Sequence, residues 1–130
     1  MRFTFFLAVV VGFLIAVTTA KAEPPPPCNG TLQRNLCEAI RRHTTHPEWA
    51  NSRSLAKIVK HESGGILCAV NPGRIDCSYS GNHACGFFQL LPCRCFPNVV
   101  KQARCGVAYI AGRYGHPDRA LVFWKRNGWY

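Results

Sequence analysis

The chain has 130 residues, with 16 basic and 6 acidic side chains, 8 cysteines and a formal net charge of +10. That length allows one domain with a modest core and excludes a multidomain assembly. The charge points to anionic partners, and the even, dense cysteine content argues against a reducing compartment.

In chain order, residues 1–22 read as a secretion signal. Arg2 supplies a positive start, Phe3 to Val17 is almost wholly apolar, and Ala20-Lys21-Ala22 has the form of a cleavage site. The apolar run is short for a membrane span and no stop-transfer pattern follows. The expected product is a secreted, extracellular chain beginning near Glu23, without a stable membrane anchor and monomeric. Loss of Arg2 and Lys21 leaves 14 basic residues against 6 acidic ones. Anionic bacterial surfaces are the partners such a charge fits. Nucleic acid is the other polyanion, and export argues against it.

Cys28, Cys37, Cys68, Cys77, Cys85, Cys93, Cys95 and Cys105 all follow the signal. They read as four disulfides, with 105 connectivities open. Zinc competes for Cys93 and Cys95, but no histidine stands at finger spacing from two close cysteines, so neither metal nor cofactor is expected.

Residues 23–30 form a proline-rich lead-in, stiff and extended through Pro24 to Pro27. Asn29-Gly30-Thr31 is a glycosylation sequon, and equally a helix cap. Residues 31–130 are then the domain. Thr31 to Arg42 reads as a first helix with Leu32, Leu36, Ala39 and Ile40 on one face. Glu38 pairs along it with Arg41 or Arg42. Pro47 breaks the pattern, and Trp49 is an anchor onto the domain.

Ser52 or Ser54 caps a second helix whose apolar face carries Leu55, Ile58 and Val59. Glu62 lies on that same face, three and four residues further on, and Gly64-Gly65 ends the helix. A lone glutamate is most often a solvated surface charge. One held on an apolar face at a helix end has its pKa raised by desolvation, as a general acid near neutral pH requires.

From Leu67 to Leu91 the helical period is lost. Turn signals at Asn71-Pro72-Gly73 and Ser80-Gly81-Asn82, with three cysteines, predict a small irregular or β-like lobe tied by disulfides. Asp76 within it is either a second carboxylate or the donor-accepting residue of an Asx-turn. Gly86 to Leu90 reads as a short helix ending near Pro92. Asn98 caps a third helix with Val99, Ala103, Val107, Ile110 and Tyr114 on one face, ended by Gly115. Pro117 and Asp118 open a fourth, with Ala120, Leu121 and Trp124 inward and Gly128 at its end.

The segments His61-Glu62-Ser63-Gly64-Gly65 and Cys85-Gly86-Phe87-Phe88-Gln89-Leu90-Leu91-Pro92 resemble, in order, the active-site segments of the lysozyme superfamily. They are most similar to soluble lytic transglycosylases and goose-type lysozymes. The Cys-Gly-Phe-Phe-Gln piece and the intervening Asp76 also resemble invertebrate-type lysozymes. The tail, from Ala108-Tyr109-Ile110 through Trp124 to Trp129-Tyr130, resembles the end of actinobacterial transglycosylase-like domains. The resemblance implies a mainly α, lysozyme-like fold and cleavage of the bond between N-acetylmuramic acid and N-acetylglucosamine in peptidoglycan. It implies Glu62 as general acid, with Asp76 as second carboxylate, and Ser63, Gly86, Phe87, Gln89, Tyr109 and Trp124 as substrate contacts. One departure stands out. In the wider family a Tyr-Asn element faces the catalytic Glu, and here Trp124 and Lys125 occupy those places.

Two routes follow protonation by such an acid. A lysozyme adds water, often with a second carboxylate, and Asp76 together with the disulfide-rich, exported character favours this reading. A lytic transglycosylase uses the muramic acid's own 6-hydroxyl and needs one carboxylate. A different class, a non-catalytic cationic antimicrobial protein on the same scaffold, would use the charge and aromatics alone; Glu62 and Gln89 count against it.

Overall fold

The structure, a computed structural model, describes residues 23–91 and 97–130. The expectations for residues 1–22, and those for Pro92, Cys93 and Cys95, lie outside the described residues. The domain is mainly α-helical, with a small disulfide-tied β lobe.

Helix α1 spans Arg34–His43, α2 Arg53–Ser63, α3 Val99–Tyr114 and α4 Pro117–Asn127, with a 3-10 turn at Pro47–Asn51. Helix α1 packs on α3 and on the 3-10 turn; α4 packs on both α2 and α3. The apolar stripes expected from the sequence meet in one core of Leu36, Ile40, Leu55, Ile58, Val107, Ile110 and their neighbours. Trp49 is buried there from the 3-10 turn and stacks on His46.

Helix α1 begins three residues later than the hydrophobic pattern suggests. Leu32 is buried but precedes it, and Gln33 at its N-cap makes no side-chain capping bond. Asn29 is not a helix cap. Its Oδ1 accepts from the Thr31 N–H at 3.0 Å, a local turn on an exposed residue. The lead-in is fastened by the Cys28–Cys37 disulfide and by the Asn51 amide, which donates to the Pro27 carbonyl.

The remaining caps follow the sequence. Ser52 accepts from Leu55 N–H, Asn98 from Val100 and Lys101, and His116 from Asp118, while Gly64, Gly115 and Gly128 close their helices in the left-handed conformation. On the surface, Glu38 accepts from both Arg41 and Arg42.

The lobe is a two-stranded antiparallel hairpin, β1 Ala69–Val70 with β2 Arg74–Ile75. The Cys68–Cys77 disulfide closes its base. Cys85 extends it by single bridges to Val70 and to Leu90. Cys85 and Cys105 each take part in a disulfide as well, and no described cysteine is free.

The Gly86 to Leu90 helix is a correction. Gly86 (φ +75°) and Gln89 (φ +45°) both take left-handed conformations that a right-handed helix cannot contain, so the segment is a tight loop closed by the Cys85 to Leu90 bridge. Helix α3 braces it through one side chain. The Phe87 N–H donates to Gln102 Oε1 at 2.8 Å, and Gln102 Nε2 donates to the Leu67 carbonyl at 3.1 Å.

Candidate active site

Helix α2 delivers Glu62 to the border between the helical body and the hairpin. Its next residue, Ser63, is buried, with Oγ 2.9 Å from the Val59 carbonyl and 3.0 Å from the Phe87 carbonyl. The hydroxyl's single proton serves one of them at a time. This hydroxyl ties the end of α2 to the Gly86–Leu90 loop and so fixes where Glu62 stands.

Glu62 opens into a cleft of about 610 Å³. The hairpin supplies one wall through Ala69, Val70, Arg74 and Ile75; Gln89 and Leu91 come from the loop, and Trp129 and Tyr130 from the tail after α4. Ile66, Ile75, Leu91 and Trp129 are respectively 39%, 68%, 69% and 51% exposed. Among the described residues, the one other exposed large hydrophobic side chain is Val122. Exposed apolar surface is thus gathered at one cleft, as in a site waiting for a ligand with apolar faces.

The Trp124 indole N–H donates to Glu62 Oε1 at 2.7 Å, and His61 stacks on the indole with ring centroids 4.1 Å apart. Burial of the Glu62 carboxyl raises its pKa, and the Trp124 N–H, which favours the charged form, opposes part of that rise. Desolvation wins, so the group stays protonated to higher pH than an ordinary glutamate. The tyrosine side of the cleft is set by packing: Tyr130 donates its hydroxyl to the Phe88 carbonyl at 2.6 Å, and burial followed by the Glu62 charge pushes its pKa well up.

Among the site residues expected from the sequence, the cleft brings together Glu62, Ser63 and Gln89. Gln89 Nε2 donates to the Gly86 and Ala69 carbonyls at 2.9 and 3.1 Å, so its left-handed backbone turns the side chain across the loop, beside the hairpin. Trp124 acts on Glu62 and is not part of the cleft lining. Its indole N–H reaches the carboxylate where the resemblance leads one to expect a phenol.

The other expected contacts are placed elsewhere. Phe87 is 1% exposed and belongs to the core. Gly86 packs against the Gln102 amide, where a Cβ would collide with it, and is not among the cleft lining. Tyr109 lies outside the cleft lining, edge-on to Tyr130 and within 2.8 Å of Arg113 Nη1 through its hydroxyl. Asp76 makes an Asx-turn. Its Oδ1 accepts from the Ser78 N–H at 3.0 Å and the Ser78 hydroxyl at 2.7 Å. Those two bonds, the hydroxyl first, hold its pKa down, with a smaller contribution from Arg74. It does not line the cleft that holds Glu62.

Sequence reasoning missed Arg74, Ile66, Ile75 and Leu91 as cleft residues, and it placed Trp129 only in a matching tail. Ile66, Ile75, Leu91 and Trp129 share one signal, a large apolar residue outside any amphipathic period that the helical core does not account for; Arg74 carries none.

Among the described residues, no three histidine, cysteine, aspartate or glutamate side chains converge as a metal site, and no helix is long and apolar enough to cross a membrane. Comparison with protein-family models, curated proteins and solved structures gives no match.

Proposed function

We propose that the protein is a secreted enzyme that cleaves the glycan strands of peptidoglycan, with Glu62 as its general acid. One observation carries this reading: a glutamate with a raised pKa, held by an indole N–H, opens into a cleft rimmed by exposed apolar side chains. Pyranose rings have apolar C–H faces that pack on such a rim, and Trp129 is the aromatic surface best placed for it. The substrate follows from the resemblance of the Glu62 and Gln89 segments to lysozyme-type enzymes.

In this mechanism the Glu62 carboxyl gives its proton to the glycosidic oxygen as the bond from that oxygen to the anomeric carbon breaks. The leaving sugar departs with a new hydroxyl. A nucleophile then bonds to the anomeric carbon and its proton returns to the Glu62 carboxylate, restoring the acid. Water as nucleophile gives hydrolysis, the activity of a lysozyme. The 6-hydroxyl of the same muramic acid gives a 1,6-anhydro end.

A specific observation favours the second reading for the final step. Asp76 is engaged by Ser78 outside the cleft lining, which leaves Glu62 as the only carboxylate among the described lining residues. A single carboxylate serves intramolecular attack without further help. Mass spectrometry of purified peptidoglycan after digestion distinguishes the routes. The expected result is cleaved muropeptides with 1,6-anhydromuramic ends, and activity that survives Asp76→Asn within about threefold, because asparagine also makes Asx-turns. Reducing ends from water and a loss of about 100-fold in Asp76→Asn would instead support a two-carboxylate lysozyme. Intact glycan after prolonged digestion would leave the non-catalytic cationic binder as the better reading.

A further inference from the structure

The described residues lining the cleft include one acid, Glu62, and one base, Arg74. Arg74 stands on β2 in the hairpin wall, exposed, with its guanidinium 4.8 Å from the centroid of the Tyr79 ring. Stacking on a ring holds the planar fork in place while its N–H edge stays available. Among the described residues Arg74 makes no ion pair, in contrast to Arg41 and Arg42 on α1. The nearest acid in sequence, Asp76, directs one oxygen to Ser78. A preorganised cation on the wall of a cleft of mixed polar and apolar lining matches a ligand that has apolar faces, carries polar groups and bears a carboxylate at one point. The fork geometry of arginine suits that group better than an ammonium would.

We infer that Arg74 is the carboxylate-binding group of the cleft, and that it selects amino-sugar glycans whose muramic acid carries a free lactyl carboxylate, as peptide-free strands do, over neutral N-acetylglucosamine polymers. The inference rests on the reading of the cleft as a glycan site. It adds that recognition of the substrate's acid is built into the hairpin, separate from the proton-donating group on α2.

The test is calorimetric binding of N-acetylglucosaminyl-N-acetylmuramic acid, with its lactyl carboxylate free, against the lactyl methyl ester of the same disaccharide. Wild type is expected to bind the acid about tenfold more tightly than the ester, as for hydrogen bonds to a charged group. Arg74→Gln is expected to bind both with the affinity wild type has for the ester. Arg74→Lys should recover part of the preference, through charge without the fork. Equal affinities in wild type, no binding of either form, or a preference unchanged in Arg74→Gln would overturn the inference. Cleavage is scored separately on peptidoglycan. An Arg74-dependent preference without cleavage would defeat the catalytic reading and leave Arg74 in place; cleavage without the preference would do the reverse.

Discussion

Glu62→Gln is expected to abolish peptidoglycan cleavage while leaving the fold intact. Glutamine has the same shape, and its Oε1 can still accept from the Trp124 indole N–H that the carboxylate now holds at 2.7 Å. Positioning therefore survives and only the transferable proton is lost. Removal of a general acid costs about 10²–10⁴ in rate. Turnover in release of soluble muropeptides should fall by at least that factor, with an unchanged thermal unfolding curve. A variant that keeps more than about a tenth of wild-type turnover would remove Glu62 from the mechanism.

The second large effect is on stability. Gly86 combines a φ of +75° with a backbone seated against the side-chain amide of Gln102, which is 5% exposed. Gly86→Ala meets two costs. A left-handed conformation costs a residue with a Cβ about 1–2 kcal/mol. The new methyl group also displaces an amide whose oxygen accepts from Phe87 N–H and whose nitrogen donates to the Leu67 carbonyl. Loss of the buried bond from Phe87 costs about 1–3 kcal/mol. The expected loss is about 2–5 kcal/mol, a large part of the margin of a small domain. Urea unfolding with the disulfides intact should show it as a lower midpoint. Because the same loop accepts from Ser63 beside Glu62, the folded fraction should also lose activity. A midpoint unchanged by Gly86→Ala would show that the loop relaxes freely and does not position α2.

These two residues also mark what the sequence made legible. Glu62 could be read because a helix has a fixed period: its spacing from Ile58 and Val59 places it on the buried face whatever the tertiary structure. The glycine and asparagine caps of α2, α3 and α4 were legible for a similar reason, since capping depends on groups within a few residues. Gly86 was visible as a special position, but its partner was not. Gln102 is sixteen residues away on α3, and nothing local says that it accepts the loop's Phe87 N–H. The same blindness turned Gly86 to Leu90 into a short helix, because the left-handed Gln89 is held by contacts to Gly86 and to the hairpin. Phe87 was offered to the substrate by the resemblance and belongs to the core, since a matching motif does not tell a stacking ring from a packed one. Arg74 and the exposed Ile75 and Leu91 carry no periodic signal at all; they become a site only when the hairpin folds beside α2.

Asp76 illustrates a choice the sequence posed correctly and could not make. Both readings require an aspartate in a turn-rich loop. The Ser78 bonds satisfy the Asx-turn reading, and the cleft lining lacks Asp76. Trp124 is the converse. It departs from the tyrosine that the resemblance leads one to expect, yet its indole N–H meets Glu62. The side chain is not the one expected, and a donor still reaches the carboxylate.

The central claim is that the half-buried carboxyl of Glu62 is the working acid, and a titration tests it most directly. Carbon-13 NMR of the Glu62 carboxyl, followed against pH beside the rate of peptidoglycan cleavage, compares the two in the same protein. An acid catalyst works only while protonated, so the rate must fall as pH rises through its pKa. Burial raises that pKa from the ordinary glutamate value, and Trp124 restrains it. The account predicts that the carboxyl titration and the high-pH limb of the rate coincide, at higher pH than for an ordinary glutamate. In Trp124→Phe, which removes the N–H that favours the charged form, both should move together to still higher pH. A Glu62 carboxyl that titrates as an ordinary exposed glutamate, or a rate that ignores its titration, would contradict it.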